Sequence, residues 1–125
     1  MPDYIPVTQG VDPFTSTASA TIVGGQLVEV TGVNTVGPAA VNSVKAVGVA
    51  AHDAAIGATL TVHPIVGNTH ETVTPGGSAF GDRLACAAAG TVATGVAGTL
   101  AAAGTDIGIA LNTATAGNKV RWTGR

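Results

Sequence analysis

Charge, aromatic rings and sulfur are all scarce in this sequence. Only 10% of the 125 residues are Asp, Glu, Lys or Arg, against about 25% in an ordinary soluble domain, so the surface must be unusually bare of charge. The basic residues Lys45, Arg83, Lys119, Arg121 and Arg125 are scattered and the net charge is −2, which leaves no electrostatic track for phosphates and argues against nucleic acid as a partner. The single Cys86 cannot form an internal disulfide, which excludes a cystine-stapled module. Four aromatic residues, Tyr4, Phe14, Phe80 and Trp122, offer few anchors for a ligand pocket. The uncharged stretch from Leu84 to Thr105 is long enough for a bilayer, but it holds two leucines among Ala, Gly and Thr, and Gly90, Gly95, Gly98 and Gly104 punctuate it. It reads as short strands between turns, with no membrane as partner. At the N-terminus, Met1-Pro2-Asp3-Tyr4-Ile5-Pro6 has prolines and an acid where a signal peptide needs basic and apolar runs; the expectation is a chain made in the cytoplasm without a signal peptide.

Ala, Gly, Thr and Val account for 76 of the 125 residues, and their arrangement is that of short strands. In Gln26–Thr31 the side chains of Leu27, Glu29 and Thr31 alternate with Val28 and Val30, between Gly24-Gly25 and Gly32. Further β-branched or alternating runs lie at Lys45–Ala50, Thr59–Val66, His70–Thr74, Arg83–Ala87, Asp106–Leu111 and Lys119–Thr123, each flanked by Gly, Asn or Pro. Ala-rich pieces favour helix by propensity but end at glycines, so one helical turn around Ala51–Ala55 is the most that is expected.

The stretch Ala46–Val62 aligns without gaps on Asp106–Trp122, with Gly48/Gly108, Ala50/Ala110, Ala54/Ala114 and Gly57/Gly117 identical. A Gly-rich turn and an apolar strand precede each, at Gly24–Val28 and Gly81–Ala85. Two related β units follow from this. The fold expected is all-β, a small sandwich or barrel of short strands, because half-buried strands need a second layer or closure to bury one face. Residues 1–19, with Pro2, Pro6 and Pro13, isolated aromatics and a Thr/Ser run, read as an extended N-terminal arm, and 20–125 as a single β domain. The thin Ala/Val core and charge-poor surface both favour assembly with other chains.

Chemistry is hard to find. His52-Asp53 is the adjacent His/acid pair, but neighbours in an extended strand face opposite sides, and no Gly-x-Ser-x-Gly or other nucleophile motif accompanies it. Asp53 is expected to hydrogen-bond local backbone in a turn. Cys86 lies in an Ala run with no local activator. His63, His70 and Glu71 match no zinc spacing and read as exposed hairpin positions around Gly67-Asn68. Gly24-Gly25 and Gly76-Gly77 lack the Lys-Ser/Thr and helix of a phosphate loop. No enzyme, cofactor, metal or small-molecule substrate is expected.

Taken together, Met1-Pro2-Asp3-Tyr4, Gly24–Val30, the run Val47-Gly48-Val49-Ala50-Ala51-His52-Asp53-Ala54-Ala55-Ile56-Gly57, Gly81-Asp82, Gly90-Thr91-Val92 and Ile107–Leu111 resemble the capsid cement (head decoration) proteins of tailed bacteriophages. Cys86 and Ala93–Ala103 depart from that likeness. The resemblance implies a β-rich protein on the outer surface of the virion, bound to the major capsid protein of the expanded icosahedral head, commonly as a homotrimer, and clamping the shell against internal DNA pressure. On that reading the arm attaches to the shell through Tyr4, Ile5, Val7 and Phe14, apolar residues isolated among Pro and Thr. The alternative is a host-surface or carbohydrate-binding β module, for which the aromatic residues are too scattered to form a platform.

Overall fold

Short β-branched runs broken by Gly, Asn and Pro do become strands. The computed structural model describes residues 8, 9, 11–95 and 97–124, with β1 (Thr8–Gln9), β2 (Phe14–Ala18), β3 (Leu27–Gly32), β4 (Thr35–Pro38), β5 (Ala46–Ala50), β6 (Thr59–Pro64), β7 (Asn68–Thr74), β8 (Arg83–Cys86), β9 (Val92–Gly95), α1 (Ala97–Ala103), β10 (Gly108–Ala110) and β11 (Asn118–Gly124). Strands β2-β4-β3-β5-β6 close into a barrel, and β1-β7-β11-β10-β8-β9 form a six-stranded sheet. The all-β expectation therefore holds, with a barrel as one of its two parts.

Three details differ from the sequence reading. The arm expected over 1–19 does not extend through Phe14–Ala18, which is a barrel strand paired antiparallel with β6 from Phe14↔Val62 to Thr17↔Thr59. Thr, Ser and Ala supply no strong periodicity there, so pairing with β6 decides the conformation. The short strands β4 and β9 were not anticipated either, each being too brief to carry a pattern. Helix forms at Ala97–Ala103 and not at Ala51–Ala55, where Ala54 instead bridges Ile22.

The two units are structural repeats. Barrel strands β2, β3, β4, β5 and β6 correspond to β7, β8, β9, β10 and β11, joined in the same neighbour order. Pairing register repeats as well: Phe14↔Val62 matches His70↔Trp122, and Val28↔Gly48 matches Leu84↔Gly108. So do the turns. Ile22 and Ala54 exchange main-chain bonds of 2.9 Å, as Ser78 and Ala114 do at 3.0 and 2.8 Å. Gly25 N–H donates to Ala50 O and Gly81 N–H to Ala110 O, both at 2.8 Å. Gly57 and Gly117 sit at φ of +84° and +85°, which glycine reaches without the Cβ penalty. In the second unit α1 stands where the first has its 40–45 connection.

One difference explains why only the first unit closes. The barrel is sealed by a parallel β2–β4 pairing, reinforced where Ser19 N–H and Oγ both bond Val36 O, at 2.8 and 3.1 Å. Pro75 stands at the position corresponding to Ser19 and has neither donor; β7 and β9 are not paired.

Two apolar clusters result. Ala18, Ile22, Val28, Val36, Ala50, Ala54, Leu60 and Val62 fill the barrel. Leu84, Cys86, Val92, Ile107, Ala110, Val120 and Trp122 fill the second unit, joined there by Leu27, Ala39, Val49 and Ile65 of the first. Leu27 and Val49 face each other across β3 and β5, on the outside of the barrel. Each fully buried aliphatic side chain of this kind contributes about 1.5–3 kcal/mol.

Candidate functional site

The polar residues with chemical potential are built into the scaffold. Thr61 N–H donates to His52 Nε2 at 3.3 Å, and His52 Nδ1 lies 2.9 Å from Asp53 O. The ring thus carries its proton on Nδ1. Asp53 Oδ1 accepts from Gly24 N–H at 2.8 Å, a partner distant in sequence rather than the local backbone expected. In the second unit Asn112 Oδ1 and Thr113 Oγ1 accept from Arg121 N–H and Phe80 N–H at 3.0 and 3.2 Å. Two neutral side chains therefore do the same work as His52 and Asp53, which act as acceptors that pin the turn.

His63 and His70 are buried, not exposed hairpin positions. His70 Nε2 lies 2.9 Å from Pro64 O, and its ring sits 5.1 Å from that of Trp122. Desolvation pushes the His70 pKa down from 6.5 to about 4, against the opposing hydrogen bond to Pro64, so the ring is neutral. Glu71 bonds Arg121 on the outer face at 3.4 Å. Among the described residues no group of three or more His, Cys, Asp or Glu could hold a metal ion. Burial, with a smaller effect of Glu29, pushes the Cys86 thiol up to about 11, which removes the thiolate needed for nucleophilic attack. The Glu29 carboxylate accepts from Ala40 N–H at 2.9 Å, and this bond, with one to Ser43, lowers its pKa. Arg83 is paired with Asp106. Trp122 is buried, its Nε1–H donating to Thr72 Oγ1 at 3.0 Å, and so belongs to no surface platform.

Exposed apolar side chains gather at one end of the barrel. Phe14, the one described residue among the four expected shell contacts, is 40% exposed and stands on the rim of the barrel's open end; Tyr4, Ile5 and Val7 lie outside the described residues. Val30, Val36 and Val47 line this mouth with Thr15, Ser16, Asn34 and Thr35, around a space of about 260 Å³. None of the described residues that line it is charged. Val30 is 43% exposed and Val33, in the β3–β4 turn, 92%. Val47 is turned into the mouth by a bulge, since Val28 pairs with Gly48 but Glu29 with Ala46.

The same end of the second unit is covered. Its residues corresponding to Phe14, Val30, Val36 and Val47 are His70, Cys86, Val92 and Ile107, all buried. The cover comes from the first unit: Asn42 N–H donates to Cys86 O at 2.9 Å, Gly90 N–H to Ala39 O at 3.1 Å, and Gln26 Nε2 to Ala89 O at 3.0 Å. The approach is so close that a Cβ on Gly90 would lie 2.7 Å from Leu27 O. Sequence reasoning missed this surface because it arises where strand ends meet, and only the repeat alignment carried a trace of it.

No protein-family model matches this chain, and no curated protein matches it in sequence. Among solved structures, it is similar to the N base of the head fiber gp8.5 of bacteriophage phi29, with a TM-score of 0.68 and 20% identity, over 91% of this chain and 93% of that one. The likeness establishes a shared fold across both chains.

Proposed function

We propose that this chain is a structural protein of a phage head, bound to the outer surface of the capsid through the major capsid protein and stabilising the expanded shell. The observation that carries the reading is the structural likeness, over nearly the whole of both chains, to a protein whose description places it at a phage head. Supporting it are the resemblance of Val47–Gly57 and its flanking motifs to cement proteins and a surface poor in charge. The polar candidates are engaged in holding turns and cores, so the proposed role involves no catalytic step and no cofactor. A ligand that binds only the assembled, expanded lattice makes that state harder to leave by mass action, and many weakly bound copies act together. Attachment is assigned to the N-terminal segment with Tyr4, Ile5 and Val7, alongside Phe14, and the bound form to a homotrimer.

The test is co-sedimentation of the purified chain with expanded shells that lack it, titrated to saturation and counted per major-capsid subunit. Saturation at a fixed lattice stoichiometry, absent with unexpanded shells and lost on deletion of residues 1–7, is the expected result. Binding to neither shell overturns the reading.

A further inference from the structure

Within one chain, the second unit's mouth is covered by the first unit's shoulder, formed by the Val23–Leu27 turn and strand start together with the Ala39–Asn42 connection. The repeat creates a second mouth and a second shoulder that do not meet. The free mouth is the barrel end lined by Phe14, Val30, Val36 and Val47, with Val33 exposed in the β3–β4 turn at its edge. The free shoulder is the 79–83 turn, which corresponds to 23–27 and carries Phe80 where the first unit has Gly24. Phe80 is 74% exposed and Leu111, set beside it by the bond from Gly81 N–H to Ala110 O, is 49% exposed.

From this geometry we infer that a second copy of this chain occupies the barrel mouth, inserting the Phe80–Leu111 shoulder head to tail. The contact reuses the way the two units meet within a chain, with its apolar knob moved. Leu27, buried against the second unit, has Arg83 as its counterpart, held by Asp106, and the knob passes to Phe80. The knob is apolar, and the socket combines Phe14, Val30, Val36 and Val47 with the uncharged Thr15, Ser16, Asn34 and Thr35; none of the described residues that line it is charged, so insertion among them desolvates no ion. A large exposed aromatic next to Leu fits the role of an anchor in a pocket. Each copy offers one socket and one knob on different surfaces, so the association is heterologous and gives a closed ring or an open chain. The inference rests on the repeat geometry and does not depend on the capsid reading.

The experiment measures the solution mass of the full chain by sedimentation equilibrium from micromolar to millimolar concentration. Wild type should exceed the 12.0 kDa of one chain as concentration rises. Val33→Asp and Phe80→Asp should each stay at one chain, with circular dichroism spectra and melting like wild type because both side chains are exposed. Each variant keeps one intact surface, so an equimolar mixture should form a species of two chains and no larger. Phe80→Ser and Val33→Ser repeat the measurement without introduced charge. A wild-type mass of one chain throughout overturns the inference, as does assembly that survives both variants or a mixture that remains single chains. A single-chain protein that still saturates expanded shells would overturn this contact alone and leave the capsid reading standing.

Discussion

His70 shows how one buried side chain couples the fold to pH. Its ring lies against Trp122, and desolvation holds its pKa at about 4, against 6.5 in the unfolded chain. Between those values the unfolded state binds the proton and the folded state does not, so the contribution of the neutral ring is full above about pH 6.5 and is lost as pH falls toward 4. The shift corresponds to on the order of 3 kcal/mol. Urea unfolding at pH 7.5 and pH 4.5 should show wild type losing stability by an amount that His70→Gln does not lose; equal losses in both would remove His70 as the cause. That His70 is buried was not legible in its sequence setting. Two residues after Gly67-Asn68, a histidine reads as a turn-proximal polar group, and only pairing of β7 with β11 turns its face inward.

At the scale of the element, glycines fall into two physical kinds that the sequence does not distinguish. Gly48 lies where the β5 backbone crosses its neighbour, and an added Cβ would stand 2.4 Å from His63 O; Gly108 repeats this at 2.3 Å from Thr123 O. Main chain cannot yield as a flexible side chain would, so Gly48→Ala should cost about 2–4 kcal/mol. Gly57 has open space around its Cβ position and only its φ of +84° to satisfy, so Gly57→Ala should cost about 1 kcal/mol. Chemical denaturation of the two variants checks the order, and a Gly57 variant at least as unstable as the Gly48 variant would contradict it. Both glycines were visible as repeat matches with Gly108 and Gly117, and a shared strand–turn–strand unit was readable from them. The roles of His52 and Asp53 as acceptors were not, because their main-chain donors, Thr61 N–H and Gly24 N–H, come from other elements.

Over the whole molecule, the two units share one of their two apolar clusters. Leu27, Ala39, Val49 and Ile65 of the first unit complete the core around Trp122 in the second. Neither unit can unfold and leave the other's burial intact, so unfolding should be a single cooperative transition. Fluorescence of Trp122, the one tryptophan, reports the second unit, whereas far-ultraviolet circular dichroism reports both. The two signals should coincide in midpoint; separated midpoints would show independent units. The difference between the units is also settled at this scale. Ser19 seals the first barrel and Pro75 leaves the second open, while the first unit's shoulder covers the second mouth and, among the described residues, none covers its own barrel mouth.

Composition and local pattern were enough for the all-β class, the strand-rich chain and the two-unit repeat, since these depend on short-range periodicity. They did not reach barrel closure, the incorporation of Phe14–Ala18 as a strand, the burial of His63 and His70, or the exposed Phe14 and Val30 at the barrel's open end. Each of those depends on which distant strands pair and which faces then meet. Such long-range choices are made by burial and main-chain hydrogen bonding across the whole fold, where a run of Thr, Ser and Ala becomes a strand because its partner is already in place.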